Sequence, residues 1–179
     1  MIDYKNIFVE VLKLHNNDTK WTNAIFSNIK TLSNTKVGTV GQDFIEKLCH
    51  ELKFECKFPL NTSGDRATQS PWDIQICGVK FELKTATEDI SNHFQFNHIR
   101  YHRSYEALLC LGVSPDNLYF GIWSKADVTT GKAGNLVSME KGANASYKLT
   151  KSKEQLYSLE DFNENIKKFV SKFKKLNKK

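Results

Sequence analysis

The chain has 179 residues, enough to enclose one hydrophobic core but too few for two domains of ordinary size. Its hydrophobic fraction of 40% and aromatic fraction of 12% are those of a globular protein, which excludes a disordered or fibrous chain. The net charge of +6 suits a polyanionic partner, but many proteins without such a partner are equally basic, so the charge alone identifies no function.

The four cysteines contain no C-x-x-C pair, and Cys77 and Cys110 lie in apolar, strand-like stretches. This pattern favours reduced thiols over a disulfide framework or a zinc site. The first residues include charged side chains in place of a continuous apolar segment, and no later run is long enough to span a membrane. We therefore expect a soluble cytoplasmic protein.

Helical periodicity of apolar residues predicts three helices near the start of the chain, at residues 2–15, 19–32 and 37–52. In the third, Gly38 and Gly41 predict that another segment approaches the helix backbone closely. The predicted inward faces are Trp21, Ile25, Ile29 and Leu32 in the second helix, and Val37, Gly41, Phe44, Leu48 and Leu52 in the third.

From residue 54 the apolar period becomes that of strands. After the strand-like "FECKFPL" and a polar loop, "DIQICG" and "VKFELKT" alternate on either side of Gly78, which predicts a β-hairpin. Residues 91–105 are predicted to form a helix. Two further strands, "ALLCLGV" and "LYFGIWS", are joined by the turn formers "SPDN".

A Gly-rich loop is predicted at residues 129–145, followed by an amphipathic helix that begins at Ser158, with Asp161 completing a capping box. The expected inward residues of this helix are Leu159, Phe162, Ile166, Phe169, Phe173 and Leu176. The order of elements predicts one α/β domain over residues 1–179. Its parts are a helical N-terminal part (1–35), a core (36–125), and a loop plus basic C-terminal helix (126–179).

The predicted hairpin gathers two carboxylates and an amine. Asp73 begins its first strand, and Glu82 and Lys84 lie on the polar face of the second, so antiparallel pairing across the turn at Gly78 brings Asp73 close to Glu82. Two carboxylates suit Mg²⁺, to which the backbone carbonyl of Leu83 can add a ligand. Lys84 would orient or deprotonate an attacking water, or neutralise charge in the transition state. This set predicts phosphodiester hydrolysis; the alternative is an ordinary surface hairpin with solvated charges.

The stretch "PWDIQICGVKFELK" resembles the PD-(D/E)xK motif of the restriction-endonuclease-like nuclease superfamily. The resemblance covers residues 36–125 and extends to the order of elements: a helix, a strand, the hairpin, a helix, then further strands. It implies a restriction-endonuclease-like fold, with a mixed central sheet flanked by helices. It also implies that Asp73 and Glu82 bind Mg²⁺, for which Mn²⁺ can substitute, and that Lys84 assists the attack of water.

Many members of that superfamily carry a further Glu on the helix before the hairpin. In "KVGTVGQDFIEKL", Gln42 occupies one register, and Glu46 is the nearest downstream Glu, roughly opposite the predicted apolar face. Both readings stay open: Glu46 is a candidate metal ligand or a solvated helix residue, and Gln42 is the alternative ligand.

The arrangement of "FQFNHIR", a strand, "SPD" and an aromatic strand resembles small type II restriction endonucleases. Polar and basic residues here, and lysines of the Gly-rich loop, are candidates for contacts with phosphates or base edges; the alternative is a solvated face. The Lys-rich tail would add salt-sensitive attraction or be a docked helix with a solvated face. The candidate DNA-binding residues are Gln95, His98, Arg100, His102, Arg103, Lys132, Lys141 and Lys148.

These features predict a Mg²⁺-dependent, site-specific endonuclease acting on double-stranded DNA, most similar to a type II restriction enzyme. A homodimer is expected, because cutting both strands requires two active sites. The chain is short for a restriction enzyme, which leaves open a Holliday-junction resolvase, a nicking enzyme, or a phage or mobile-element endonuclease. A second class is a nuclease-like module that binds nucleic acid without cutting it, which Gln42 in place of Glu keeps open.

Overall fold

The computed structural model of the chain describes residues 4–15, 19–67, 70–142 and 145–176. Four helices and nine strands lie in this described part. In chain order they are α1 (Tyr4–His15), α2 (Asn34–Glu51), β1 (Cys56–Lys57), β2 (Ile74–Ile76), β3 (Val79–Thr87), β4 (His93–Ile99), β5 (Ala107–Val113), β6 (Leu118–Ser124), α3 (Lys125–Thr129), β7 (Leu136–Glu140), β8 (Ser146–Ser152), β9 (Tyr157–Ser158) and α4 (Phe162–Leu176).

Six strands form the central sheet, in the order β1-β2-β3-β5-β6-β9. The β3–β5 pair is parallel and the other neighbouring pairs are antiparallel, so the sheet is mixed. One face packs against α2 and α4, where Ile45, Phe81, Leu109 and Ile166 are fully buried in one core. The predicted α/β class, with a mixed central sheet and flanking helices, is confirmed.

A second sheet covers the other face of the central one. It is antiparallel, with the order β4-β8-β7, and it docks through Phe94, Phe96 and Leu149 onto Leu108 and Cys110. The chain therefore encloses hydrophobic clusters on both faces of the central sheet. The segment that links the parallel strands β3 and β5 contains a strand of this second sheet.

The hairpin of β2 and β3 is confirmed. Its turn consists of Cys77 and Gly78, whose φ angles of 48° and 85° are both positive, as a two-residue turn matched to the strand twist requires. Ile74 pairs with Phe81 in the register, so the preceding Asp73 faces Glu82 across the hairpin.

The predicted helix at residues 91–105 is wrong, because this stretch contains β4. Phe94 and Phe96 are buried while Gln95 and Asn97 are exposed, which is the two-residue period of a strand. The superfamily pattern of a helix directly after the hairpin is therefore not followed here.

The predicted helix at residues 19–32 is also wrong. Turns and a short 3₁₀-helix, Ser27–Thr31, take its place. Contacts distant in sequence set this backbone: the Phe26 N–H donates to the Pro115 carbonyl at 3.0 Å, and the Ile25 N–H donates to Asp116 Oδ1 at 2.9 Å. Trp21 is buried as predicted, whereas Ile25 is 75% exposed.

The helix α2 is confirmed, but it begins at Asn34, where the Ser33 side chain accepts a hydrogen bond from the Lys36 N–H. Its buried line is Val37, Gly41, Ile45 and Cys49. Phe44, Leu48 and Leu52 are partly buried beside this line, so the centre of the apolar face differs by one position from the predicted one.

At the other end of the chain, the predicted Gly-rich loop contains β7, which pairs with β8. The final helix begins at Phe162 after a 3₁₀ turn, and Ser158 makes no side-chain capping bond, so the predicted capping box is wrong. Leu176, expected to face inward, is 65% exposed.

Helix α1 lies within the first predicted helix, and its apolar Tyr4, Ile7 and Phe8 are exposed. Among the described helices, none has the length and apolar character needed to cross a membrane.

Candidate functional site

A polar cleft of about 440 Å³ lies between the N-terminal half of α2, the hairpin and β4. The cleft-lining residues that matter below are Gly38 and Gln42 from α2, Asp73 and Lys84 from the hairpin, and Gln95, Asn97 and His98 from β4.

Asp73 is fixed across the hairpin by its backbone and its side chain. Its N–H donates to the Phe81 carbonyl, and its Oδ2 accepts from the Leu83 N–H, both at 2.8 Å. Because the hairpin register sets both bonds, the Asp73 carboxylate is held beside the polar face of β3. Leu83 also lines the cleft.

Glu82 is a fully buried carboxylate next to the cleft. The Lys84 ammonium, whose side chain is 20% exposed, lies 2.7 Å from Glu82 Oε1. At this distance the ammonium and the carboxylate form a charge-assisted contact, whereas the other oxygen, Oε2, accepts no hydrogen bond from the described residues. Burial raises the pKa of Glu82; Lys84 opposes this shift, and the negative charge of Asp73 adds to it.

The surroundings of Glu82 also include a buried tyrosine hydroxyl. The buried Tyr105 hydroxyl has no hydrogen bond to any described residue, and burial, with the nearby Glu82 charge, raises the Tyr105 pKa. The positive charge of Arg103, like that of Lys84, opposes the rise in the pKa of Glu82. The Arg103 side chain donates a hydrogen bond to the Ser70 carbonyl at 3.0 Å. Glu82 therefore lies in a buried environment in which Lys84 and Arg103 both favour its ionised form.

The donor set fits Mg²⁺ in kind. Asp73 and Glu82 supply carboxylate oxygens, Gln42 an amide oxygen and Leu83 a carbonyl, which are the hard ligands that Mg²⁺ prefers. A metal ion beside Glu82 would add a second positive charge to that of Lys84 and so further offset the burial of the ionised carboxylate, whose Oε2 accepts no hydrogen bond from the described residues. In the described ranges, however, no three side chains of His, Cys, Asp or Glu are grouped so as to hold a metal ion. Among the described residues, the candidate site therefore offers the two carboxylates of Asp73 and Glu82.

Of the two helix candidates, the structure brings Gln42 to the cleft and leaves Glu46 outside it. Gln42 lines the cleft. Glu46 lies one turn further along α2, where its Oε2 accepts from Arg66 Nη2 at 2.7 Å and its side chain is 33% exposed. Glu46 therefore has a partner of its own and makes no contact with the site.

Two of the candidate DNA-binding residues, Gln95 and His98, line the cleft. Gln95 Nε2 donates to Asp89 Oδ2 at 2.9 Å, and His98 Nδ1 lies 3.7 Å from Glu140 Oε1. Asn97 and Asp89 also line the cleft and were missed from the sequence. The two-residue alternation of "FQFN" was the available signal for Asn97, because a strand puts it on the same face as Gln95.

Asp89 is a structural anchor at the rim of this cleft. Its carboxylate accepts hydrogen bonds from the N–H groups of Ser91 and His93 as well as from Gln95. Although burial acts in the opposite sense, these hydrogen bonds lower the pKa of Asp89. Asp89 thus orients Gln95 and fixes the turn before β4.

The other candidates for DNA contact are not brought to the cleft. Arg100, His102 and Arg103 lie beyond the end of β4. The Lys-rich helix α4 packs on the same face of the central sheet as α2, but Lys174 lies beside Gly78, at the far end of the hairpin from Asp73. The loop and strand lysines, also outside the cleft, are Lys132, Lys141 and Lys148.

No family model matches the chain, and no curated protein matches it in sequence. Among solved structures, the chain is similar to a bacterial homing endonuclease, I-Ssp6803I, with a TM-score of 0.41 and 10% sequence identity. The similarity covers 68% of this chain and 80% of that one.

Proposed function

We propose that the chain is a Mg²⁺-dependent endonuclease that hydrolyses phosphodiester bonds of double-stranded DNA in the cleft. The observation that carries this proposal is the grouping of Asp73 and Lys84 on the cleft wall beside the buried Glu82, which pairs with Lys84 through Oε1 and whose Oε2 accepts no hydrogen bond from the described residues. The ion pair with Lys84 offsets part of the cost of burying the Glu82 carboxylate, and a metal ion held by Asp73 and Glu82 would offset more of it.

Asp73 and Glu82 would hold the metal, with the Leu83 carbonyl and Gln42 as further oxygen donors. Bound there, Mg²⁺, or Mn²⁺ in its stead, would polarise a phosphoryl oxygen and lower the pKa of a coordinated water. Lys84 puts a positive charge into the cleft 2.7 Å from Glu82, where it can orient the attacking water and offset negative charge that develops on the phosphate. The Leu83 N–H, bonded to Asp73 Oδ2, keeps that carboxylate in position.

The finer form of this proposal is a site-specific enzyme of the type II restriction class that acts as a homodimer. Gln95 and Asn97 support it, because amide groups in a substrate cleft can donate to and accept from base edges. Two copies of the site are required to cut both strands of a duplex. The basic net charge of +6 suits a DNA partner.

The test is incubation of the purified protein with unmethylated plasmid and phage DNA, in Mg²⁺ or in EDTA, beside Asp73→Asn and Lys84→Ala. Discrete fragments that require Mg²⁺ and disappear in both variants are expected. A nicked product would indicate a strand-nicking enzyme, and cutting limited to branched DNA would indicate a junction resolvase. Failure to cut duplex or branched DNA would contradict the proposal.

A second candidate is a nucleic-acid-binding module that does not cut. The presence of Gln42 where a third carboxylate would complete the metal site favours it, as does the absence of a three-ligand group in the described residues. Binding of a labelled duplex with the same affinity in Mg²⁺ and in EDTA, without any cleavage, would support this candidate over the enzyme.

A further inference from the structure

Gly38 lies in the second turn of α2, where glycine is unfavourable. Apart from proline, glycine lowers helix stability more than any other residue. A glycine inside a helix therefore usually has a packing reason, such as a neighbouring segment too close for a side chain. At Gly38 there is none, because a Cβ added there would meet no described atom within 4 Å.

The next glycine of α2 has the packing reason that Gly38 lacks. A Cβ at Gly41 would lie 1.8 Å from Thr85 Oγ1, so Gly41 allows α2 to pack against β3. The sequence predicted close approach at both glycines. Of these two glycines, only Gly41 has an approaching partner among the described residues, and the space in front of Gly38 is open.

Gly38 faces the cleft. It lines the same cavity as Asp73 and Lys84, and Gln42 follows it four residues later on the same face of the helix. Any side chain at position 38 would project into that cavity, between the helix and the proposed reacting phosphate beside Lys84.

We propose that Gly38 keeps a strip of the α2 backbone bare so that the sugar-phosphate backbone of the strand to be cut packs directly against the helix. This inference rests on the proposed nuclease function, since Lys84 marks the position of the reacting phosphate. The neighbouring nucleotide of the same strand then continues along the wall of the cleft that α2 provides, and at Gly38 this wall has no side chain. Gly38 is in this sense a positioning residue for the substrate.

The experiment compares Gly38→Ala and Gly38→Leu with Thr39→Ala and Thr39→Leu. Thr39 is the next residue of the same helix, is exposed and does not line the cleft. For each variant we would measure Tm, the Kd for a labelled duplex in EDTA, and KM and kcat for cleavage in Mg²⁺. Both Gly38 variants are expected to raise Tm by about 2–4 °C, because they improve helix propensity.

Despite that stabilisation, Gly38→Leu is expected to raise Kd and KM by about tenfold or more, and Gly38→Ala by less. The new side chain would occupy the space in which the DNA backbone packs against α2 and would push the DNA away from the helix. The Thr39 variants should leave Kd and KM unchanged. Wild-type Kd and KM in Gly38→Leu would overturn the inference, as would a fall in Tm in both Gly38 variants, which would indicate a structural need for glycine.

Cleavage by wild type that is lost in Lys84→Ala supports the nuclease function, whatever the results for the Gly38 variants. The inference about Gly38 can therefore fail while the proposed nuclease function stands. If the wild-type protein neither binds nor cuts DNA, the proposed function falls, and the inference about Gly38 falls with it.

Discussion

The Nζ atom of Lys84 lies 2.7 Å from Oε1 of Glu82, two residues earlier on the same face of β3. Because alternate residues of a strand point to one side, the E-x-K spacing itself brings the amine to the carboxylate. Burial makes the ionised form of Glu82 unfavourable, and the ammonium offsets part of that cost. Lys84 thus has a role in stability beside its proposed role in chemistry.

We expect Lys84→Met to lower the free energy of unfolding by about 3 kcal/mol at pH 8, because it leaves the buried Glu82 charge without its nearest cation. The loss should shrink as the pH falls and Glu82 becomes protonated. Cleavage should fall by about 100-fold or more at every pH. Urea unfolding at several pH values, with cleavage assays, measures both effects.

The matched control is Lys80→Met on the same face of β3, where the ammonium lies 5.9 Å from the Trp72 ring. It should cost less stability than Lys84→Met, without the same pH dependence. A loss in Lys84→Met that is equally large at low and high pH would contradict the role assigned to the Glu82 contact.

Glu82 itself should make stability depend on pH. The pKa of Glu82 is raised in the folded protein above the ordinary 4.5. Between the unfolded-state and the folded-state pKa, the folded protein therefore binds more protons than the unfolded chain. The resulting stabilisation is fully present below the unfolded-state pKa and is lost as the pH rises through the folded-state pKa. Glu82→Gln removes this titration, so without Mg²⁺ the variant should gain stability relative to wild type as the pH rises from 4.5.

Urea unfolding of both proteins in EDTA between pH 4.5 and pH 8 tests this, with the exposed Glu160→Gln as control. If the free energy of unfolding of wild type instead rises relative to that of Glu82→Gln as the pH increases, the proposed effect of burial on the pKa of Glu82 is wrong. Glu82→Gln should nevertheless be inactive at every pH, because it lacks the carboxylate proposed to bind the metal.

Metal binding can be measured apart from cleavage, as a rise in Tm with added Mg²⁺. We expect this rise in wild type and its loss in Asp73→Asn. The asparagine still offers an oxygen to the Leu83 N–H, so the hairpin should stay folded. Equal Mg²⁺-dependent shifts in the two proteins would argue against Asp73 as a ligand.

The hairpin could be predicted from sequence because its determinants are local. Ile74 and Ile76 alternate with polar residues, and Gly78 supplies the positive φ of a tight turn. The strand β4 could not be predicted in the same way. Its partner β8 lies about fifty residues later, and the docking of Phe94 and Phe96 on the central sheet depends on that pairing.

The same division applies to the candidate site. Asp73, Glu82 and Lys84 are neighbours within one hairpin, so their spacing predicts their proximity. Asn97 lies in the cleft because β4 is part of the second sheet. The pairing of that sheet cannot be predicted from the local periodicity of apolar residues. The choice between Gln42 and Glu46 depends on the position of α2 along the hairpin. The two residues are one helical turn, about 5.4 Å, apart, and this distance separates a residue in the cleft from one outside it.

That choice can be tested with a reciprocal pair of variants. Gln42→Glu adds a third carboxylate to the cleft, and we expect it to lower the Kd for Mg²⁺ severalfold, because ligand charge tunes affinity at such sites. Without Mg²⁺ the variant should be less stable than wild type, since the new charge repels Asp73 and Glu82. Glu46→Gln should leave the Mg²⁺ affinity unchanged and cost about 1 kcal/mol or less, because it removes only a partly exposed pair with Arg66. Calorimetric titration with Mg²⁺ measures both affinities, and weaker binding in Glu46→Gln with no change in Gln42→Glu would assign the helix ligand to Glu46.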